Sequence, residues 1–332
     1  MIRPPIRLRV AERTQAAEAR RAATELARSL GFSETRAGEI AIVVTEAGNN
    51  LANHATGGEI LLSATEDEKH AAIDMLAIDR GPGMNIDQCL EDGYSTGGTS
   101  GTGLGAIRRL AGAFDVWSSP ASGTVLFSRF EREPHPPQPF IVGSARAAKD
   151  GEIACGDAWV AKQEPGHISL LVADGLGHGH FAADASVQAG MTFLGQTFRG
   201  CADMIRLIHA SLRGTRGAAI SVASINSETG KVCYSGLGNV AGVILRPGGS
   251  QSMVSMNGTA GHQAAKVGEF EYVWPPAGLL VMYSDGLVSS WTLDRYPGLT
   301  RRHPSVIAGV LYRDYTRGRD DVTVVVVAET GS

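Results

Sequence analysis

The chain has 332 residues, of which 43% are hydrophobic and 19% are charged, and its formal net charge at pH 7 is −4. This length can bury two separate cores, and the composition excludes a disordered chain. The small negative charge gives no general affinity for nucleic acid. No apolar run approaches the roughly 18 residues of a membrane helix, so we expect a cytoplasmic protein without a membrane segment.

The four cysteines, Cys89, Cys155, Cys201 and Cys233, are scattered along the chain and show no CxxC spacing. The sequence therefore predicts neither a zinc site nor a disulfide framework. Glycine is overrepresented, with 42 residues in the chain, and clusters of it fall at 93–105 and 174–179. Such clusters are typical of backbone that turns tightly or approaches a ligand closely.

The first part of the chain mixes helical and strand patterns. Ser33 is a predicted N-cap for a long helix that ends near Asn53. A second helix is predicted over 13–30 and a short one near 104–111. Strands are predicted over 6–10, 59–65, 71–78, 113–118 and 124–130. This pattern indicates an α/β sandwich with its helices on one face of the sheet.

A proline-rich segment separates the two halves of the chain. Four prolines lie between Glu131 and Pro139, and proline both removes amide donors and disfavours helix before it. We expect an extended, semi-rigid spacer here. The predicted organisation is one domain over 1–132, a linker over 133–140 and a second domain over 141–332.

The second part is dominated by apolar runs typical of strands. They fall at 168–173, 219–225, 231–234, 240–245, 279–283 and 322–328, and helical patterns fall near 180–198, 201–213 and 304–315. Two packed sheets flanked by helices, an α-β-β-α sandwich, would account for this order.

On the long predicted helix, Glu46, Asn50 and Asn53 are spaced to lie on one stripe. Oxygen-bearing side chains in line can hold Mg²⁺, which shares its ligands with phosphates. Taken alone, the stripe is equally compatible with a polar helix face in water.

Three glycine-containing motifs follow the stripe in a fixed order. Asp79, at the end of a strand, can accept a hydrogen bond from an adenine amino group, and Gly81 and Gly83 leave room for a flat ring. The loop from Gly97 to Gly105 runs into a helix, where free amides can bind phosphate. Thr124 follows Gly123 on the last strand. Together the four elements predict an ATP site.

Residues 1–130 thus resemble the histidine-kinase-type (Bergerat) ATPase fold, in particular the serine kinases of the RsbT/RsbW type. The resemblance implies that Glu46 takes the proton from a substrate hydroxyl, that Asn50 ligates Mg²⁺ and that Asp79 binds adenine. The ATP-binding residues it implies are Asn50, Asn53, Asp79, Gly81, Gly83, Gly101, Thr102, Gly103, Leu104, Gly105 and Thr124.

Four aspartates in the second half lie next to predicted strand ends: Asp157, Asp174, Asp285 and Asp320. A single Asp-Gly pair is most simply a turn. Four such aspartates beside apolar strands are costly unless they pair or bind a cation. Hard oxygen ligands favour Mg²⁺ or Mn²⁺, and two such ions can activate water for attack on a phosphate.

Residues 141–330 resemble the metal-dependent protein phosphatases of the 2C class, in their SpoIIE/RsbX form. The resemblance implies two Mn²⁺ or Mg²⁺ ions. Asp174 would be the catalytic bridging ligand, the Gly175 carbonyl would complete one ion, and Asp285 and Asp320 would hold the other. Asp157 would bind an ion directly or through a water molecule, and Asp321 would not bind an ion but would support the residues that do.

The second half departs from eukaryotic members of that class at three positions. Glu152 stands where they have a phosphate-binding arginine, Gly156 where they have a glutamate, and Leu176 where they have a histidine. His178 could supply the missing acid, or it could be a structural hydrogen-bonding residue.

The two resemblances together imply a regulator that phosphorylates and dephosphorylates serine or threonine on a STAS-type antagonist protein, in a stressosome or sigma-factor pathway. One alternative is a phosphatase whose first half only binds ATP and a partner. Another is a first half that sequesters a sigma factor directly. Relatives of the ATPase half often dimerise, so a homodimer is a further possibility.

Overall fold

The computed structural model describes residues 2–67, 69–86, 103–134, 136–264 and 266–331. The chain divides into two compact units. Unit 1 contains Arg3–Pro136 together with Leu293–Arg313, and unit 2 contains Pro137–Thr292 together with Asp314–Ser332. The domain limits expected from sequence stay a prediction. The structure adds that residues 293–313, far along the chain, are part of the first unit.

In the described part of unit 1, the strands form an antiparallel sheet in the order β1-β2-β3-β5-β4. The strands are β1 (Ile6–Arg9), β2 (Glu59–Glu66), β3 (Ala71–Ile78), β4 (Ala113–Ser118) and β5 (Thr124–Glu131); the helices are α1 (Arg13–Ser29), α2 (Glu34–His54) and α3 (Gly103–Leu110). Ser33 caps α2, since its Oγ accepts a hydrogen bond from the Arg36 N–H at 3.2 Å. The predicted fold class is confirmed.

The two faces of this sheet are both buried. Alternate residues such as Ile60, Met75 and Leu126 pack against α1 and α2. The side chains between them face the other way and are also buried, namely Leu61, Leu76, Trp117, Val125 and Phe127. A period of two places successive side chains on opposite faces, so this sheet needs a cover on each side.

Residues 293–313 supply the second cover. This segment includes a 3₁₀ turn (Leu299–Arg301) and most of helix α6 (Pro304–Tyr315). The His303 ring stacks on Phe127 with 4.2 Å between centroids, and the Trp117 indole N–H donates to the Pro297 carbonyl at 3.1 Å. We therefore find helices on both sides of a sheet for which the sequence pattern indicated helices on one.

The described residues of unit 2 form two sheets. The first has the order β13-β10-β9-β8-β7, with β14 beside β10, and the second has the order β12-β11-β15-β16-β6. Their strands are β6 (Phe140–Ala147), β7 (Asp157–Glu164), β8 (His167–Gly175), β9 (Ala218–Asn226), β10 (Lys231–Leu237), β11 (Ala241–Arg246), β12 (Gly249–Ser252), β13 (Ser255–Met256), β14 (Phe270–Val273), β15 (Leu279–Tyr283) and β16 (Val322–Glu329).

Two apolar layers hold unit 2 together. Ile168, Leu170 and Val172 of β8 face the second sheet, where they join a core that includes Leu280 and Val325. The intervening residues of β8 face helices α4 (His180–Gly195) and α5 (Cys201–Ser211), against a second cluster. Strand β8 is apolar on both faces, so packing does not explain the carboxylate of Asp174 near its end. A functional role for Asp174 does explain it.

None of the helices described above is long and apolar enough to cross a membrane.

Candidate ATP and metal sites

Helix α2 brings Glu46 and Asn50 to the beginning of α3. A Cβ placed on Gly103 would lie 2.9 Å from Glu46 Oε2 and 3.9 Å from the amide of Asn50. The absence of a side chain at Gly103 therefore leaves the end of the Glu46 side chain room at the first turn of α3. The first turn of a helix has amide groups without intrahelical partners, which bind anions. Asn53, one turn further along α2, is exposed.

Asp79 follows β3 and is fixed by backbone hydrogen bonds. Its own N–H donates to the Thr124 carbonyl at 2.9 Å, and the Gly81 N–H donates to Asp79 Oδ1 at 2.6 Å. Burial raises the pKa of this carboxyl, while hydrogen bonds from Gly81 and Thr124 and the charge of Arg313 act in the opposite direction. Ionised, the carboxylate is a pure acceptor, as recognition of an amino group requires.

The two glycines that pack near Asp79, Gly83 and Gly123, lie where a side chain would not fit. Gly83 and Gly123 have φ values of +75° and +71°, in the region that favours glycine. A Cβ on Gly123 would collide with the Asp79 carbonyl, and one on Gly83 with the Ser119 carbonyl. The turn after β3 is thus packed tightly against the loop before β5.

Arg313 is a residue of this region that the sequence did not reveal. It lies buried in α6, its Nη1 donates to the Asp79 carbonyl at 3.3 Å, and its guanidinium lies 5.6 Å from the Trp117 ring. Arg313 is separated from Asp79 by most of the chain, so no local pattern could link them. Its charge favours the ionised form of Asp79.

Part of the predicted ATP motif lies outside the described residues, including Gly101 and Thr102. Leu104 and Gly105 belong to the first turn of α3, where Gly105 is buried. Thr124 is buried, and its hydroxyl lies 3.0 Å from that of Ser118. The ATP-binding roles of all these residues stay predictions.

At the other site, Asp157 and Asp174 lie directly opposite each other on the antiparallel strands β7 and β8. Asp157 is almost fully buried. Its Oδ2 accepts a hydrogen bond from Ser284 Oγ at 2.6 Å, while its Oδ1 is buried without a hydrogen-bond partner among the described residues. A buried carboxylate oxygen without a partner is costly and points to a missing cation.

This pair belongs to a buried negative cluster that the hydrogen bond from Ser284 and the charge of Arg146 offset only in part. Burial, with a further contribution from Asp321, raises the pKa of Asp157 to about 7. Burial is also the largest cause for Asp174, whose pKa rises to about 9, and the charges of Asp157, Asp285 and Asp320 add to it. These carboxylates therefore disfavour one another's ionisation, and a divalent cation would remove that penalty.

Asp285 and Asp321 are each held by specific partners. Asn239 Nδ2 donates to Asp285 Oδ2 at 2.6 Å, and burial and Asp320 raise the Asp285 pKa. The two oxygens of Asp321 accept hydrogen bonds from the N–H groups of Lys149 (2.8 Å) and Gly156 (2.9 Å). Asp321 thus fixes two loops at the site, which agrees with a supporting role.

The donor set fits hard divalent cations. All of its side chains are carboxylates, and the Gly175 N–H donates to the Gly156 carbonyl at 3.0 Å, which orders the loop that bears the predicted carbonyl ligand. Across the described residues, no three of these carboxylates have oxygens within 4.8 Å of one another. Water would therefore have to complete the coordination, as is usual for Mg²⁺. The assignment of individual ligands stays a prediction.

Two further groups flank the carboxylates. His178 Nδ1 lies 2.6 Å from Glu152 Oε1, so Glu152, at the position of the missing arginine, orients this ring. Arg216 approaches the same loop, because a Cβ on Gly177 would lie 3.1 Å from Arg216 Nη1. The Arg216 guanidinium lies 5.0 Å from the Phe181 ring. The part of the chain that the structure describes contains no ion pair to Arg216.

Sequence reasoning missed Arg216 and Asn239. Arg216 immediately precedes Gly217, whose carbonyl accepts from the Leu176 N–H at 3.0 Å. The pairing of β8 with β9 then places Arg216 at the strand end that carries Asp174. The glycine after Arg216 was the only signal available, and glycines are too common in this chain to single it out.

Residues 10–129 match the family described as histidine kinase-like ATPase domain, and residues 164–329 match the stage II sporulation protein E (SpoIIE) family. Serine/threonine-protein kinase RsbT of Bacillus subtilis is 31% identical over 109 residues, which cover 32% of this chain and 82% of RsbT. Phosphoserine phosphatase RsbX of the same organism is 24% identical over 140 residues, which cover 42% of this chain and 70% of RsbX.

A crystal structure of RsbX in complex with magnesium shares the fold, with a TM-score of 0.52 and 21% identity over 59% of this chain and 98% of that one. The chain therefore belongs to the SpoIIE family of 2C-class phosphatase domains, and it joins this domain to a histidine kinase-like ATPase domain of the RsbT type.

Proposed function

We propose that this protein is a bifunctional partner-switching regulator. Its first unit would transfer phosphate from ATP to a serine or threonine of a STAS-type antagonist protein, and its second unit would remove that phosphate. The antagonist would belong to a stressosome or sigma-factor pathway; in support, a solved structure described under the bacterial stressosome is 30% identical to this chain.

The observation that carries the kinase half of the proposal is the position of Glu46. A module that only bound ATP would need Asn50, Asp79 and the glycines. It would not need a carboxylate beside the beginning of α3, where free amides can bind phosphate. Glu46 lies there, beside Gly103. Phosphoryl transfer depends on alignment and charge neutralisation, and a carboxylate that accepts the proton of the attacking hydroxyl orients it.

In this scheme ATP binds with Mg²⁺. Asp79 accepts the adenine amino group, and the amides at the beginning of α3 bind phosphate oxygens. Asn50 supplies an oxygen for the ion. Glu46 accepts the proton of the substrate hydroxyl. At the same time the hydroxyl oxygen of the substrate bonds to the γ-phosphorus, and the bond between that phosphorus and ADP breaks.

The second unit would hold two Mn²⁺ or Mg²⁺ ions through Asp157, Asp174, Asp285, Asp320 and the Gly175 carbonyl. Bound there, such ions activate water and neutralise phosphate charge. The chain itself contributes two further functions. Arg216, exposed and without a carboxylate partner in the described residues, binds the phosphate oxygens of the substrate. His178, whose Nδ1 hydrogen-bonds to Glu152, would in its imidazolium form donate the Nε2 proton to the departing serine oxygen.

The kinase half is tested with the full-length protein, ATP·Mg²⁺ and a purified STAS-type antagonist, with the phosphorylated residue mapped by mass spectrometry. We expect transfer to a serine or threonine that falls by roughly 10²–10⁴-fold in Glu46→Gln, with nucleotide binding retained. The matched control is Glu25→Gln, an exposed glutamate on α1. Nucleotide binding without transfer in the unmodified protein would instead establish a binding module.

The phosphatase half is tested on the phosphorylated antagonist with Mn²⁺. We expect release of phosphate that is lost in Asp174→Asn and in excess chelator, and unchanged in Asp184→Asn, an exposed aspartate on α4. Full activity of Asp174→Asn would remove the metal-centred proposal. Capture of a sigma factor by the first unit, with no transfer to the antagonist, would replace the kinase assignment with the sequestering one.

A further inference from the structure

A second group of potential metal ligands lies away from the aspartate site, within unit 2. Cys201 is the first residue of α5, Cys233 lies in β10, and Glu269 directly precedes β14. One ligand atom from each lies within 4.8 Å of the other two. Among the described residues this is the single trio of histidine, cysteine or acidic side chains that meets so closely.

The fold holds each member of this trio in place. Helix α5 packs on β9 and β10, and β14 pairs with β10 so that Cys233 is opposite Glu271. Cys201 is fully buried, Cys233 is half-buried and Glu269 is exposed. The group therefore extends from the apolar core to the surface, so that an ion has a path from solvent.

The carboxylate of Glu269 is already oriented towards the helix. Its Oε2 accepts a hydrogen bond from the Ala202 N–H at 2.8 Å. Gly200, which precedes α5, has a φ of +146°, and a Cβ on it would lie 3.3 Å from the same oxygen. Helix capping alone accounts for this contact, but it does not account for two thiols that meet the carboxylate at the same point.

We propose that Cys201, Cys233 and Glu269 form a binding site for a thiophilic divalent cation of the Zn²⁺ class, with water as the fourth ligand. Two thiolates, a carboxylate and a water form a tetrahedral set of the kind that zinc accepts. Soft sulfur ligands distinguish this site from the aspartate site, whose hard oxygens favour Mg²⁺ and Mn²⁺. Binding releases the two thiol protons to solvent, as thiolates are the ligands.

An ion at this position would fasten the beginning of α5 to β10 and to the segment before β14. It would act as a structural cross-link between a helix and a sheet edge, in addition to their apolar packing and the capping hydrogen bond from Ala202. No sequence motif indicates this site, because the three ligands are far apart along the chain and lack the short spacing of most zinc motifs.

The test uses the full-length protein, stripped of metal and reduced, with Co²⁺ as a spectroscopic probe and Zn²⁺ as the competitor. We expect one equivalent of Co²⁺ to give the near-ultraviolet charge-transfer absorption of a thiolate-bound ion, and Zn²⁺ to abolish it. The absorption should be lost in Cys201→Ser and in Cys233→Ser. It should persist in Cys155→Ser, which removes another buried cysteine, and in Asp174→Asn.

Glu269→Gln keeps an oxygen that can cap α5 and removes the charge. We expect it to bind Co²⁺ about 10-fold or more weakly while its circular dichroism stays unchanged, which guards against a cysteine variant that fails to fold. Absence of the charge-transfer band in the unmodified protein, its persistence in both cysteine variants, or a Cys201–Cys233 disulfide that forms in place of ion binding would each overturn the proposal. Since the readout is spectroscopic, none of these outcomes bears on kinase or phosphatase activity.

Discussion

The most direct test of the unit 1 architecture is the substitution of Gly309 by alanine. Gly309 lies in the middle of α6, and a Cβ built on it would lie 2.7 Å from Val125 Cγ1, with Leu76 atoms at 3.4 and 3.6 Å. Val125 is fully buried and β-branched, so it has little freedom to move away. Alanine at this position must therefore strain the contact between α6 and the sheet.

A matched control isolates that strain. Gly38 lies in α2 and is exposed, and a Cβ on it would meet nothing within 4 Å. Both substitutions gain the helix propensity of alanine over glycine, about 1 kcal/mol. Gly38→Ala should therefore raise the free energy of unfolding by about that amount. Gly309→Ala has the same gain but adds an overpacking cost of about 1–3 kcal/mol, so the two variants should differ by this second amount.

The measurement is urea unfolding of both variants and of the unmodified protein, with hydrogen exchange at β5 to locate the loss. We expect faster exchange of β5 amides in Gly309→Ala only, as the strand packed against Gly309 opens more readily. If Gly309→Ala were as stabilising as Gly38→Ala, the cover provided by residues 293–313 would not exist in solution, and the description of unit 1 would have to be abandoned.

Three further predictions concern the sites. The raised pKa of Asp174, about 9, means that the folded metal-free protein keeps a proton that the unfolded chain loses near pH 4. The free energy of unfolding in chelator should therefore fall as pH rises between about 4 and 9. Urea titrations at several pH values should show a smaller fall for Asp174→Asn than for the unmodified protein. An equal fall in both would contradict the raised pKa of Asp174. Arg216→Ala should lower kcat/KM for a phosphorylated protein by roughly 10–100-fold, since a charge-assisted hydrogen bond contributes about 1.5–3 kcal/mol. The same change at exposed Arg213 should have no effect, and equal effects would remove phosphate binding from Arg216. Arg313→Lys, which keeps the charge but loses the planar fork, should weaken ATP binding about 10-fold in calorimetry, and unaltered affinity would show that the contact with Asp79 is only structural.

The parts that the sequence could predict are local. The stripe of Glu46 and Asn50 follows from helical periodicity, and the helix that bears it begins at the predicted cap. The aspartates at strand ends are predictable for a similar reason, because a charged residue after an apolar run is costly without a partner. In both cases the signal lies within a few residues of the side chain concerned.

The parts that the sequence could not predict depend on long-range packing. Asp157 meets Ser284, and His178 meets Glu152, only because strands and loops distant in sequence are brought together. Strand β6 was also missed: its sequence from Phe140 to Ala147 includes glycine, serine and arginine, which weaken the strand pattern. Its pairing with the strongly apolar β16 determines its conformation.

The position of residues 293–313 changes which parts of the sequence make up the ATPase unit. In sequence these residues lie between Asp285 and Asp320, both assigned by pattern to the phosphatase, yet they cover the sheet that carries Asp79. Without them Trp117, Val125 and Phe127 would form an exposed apolar surface of the kind that soluble monomers avoid. A cut in the proline-rich segment would therefore separate the ATPase sequence motifs from part of the structure that supports them, including Arg313. The ATPase unit of this chain is thus defined by packing and not by continuous sequence, because its sheet is covered on one face by residues 13–54 and on the other by residues of the phosphatase half.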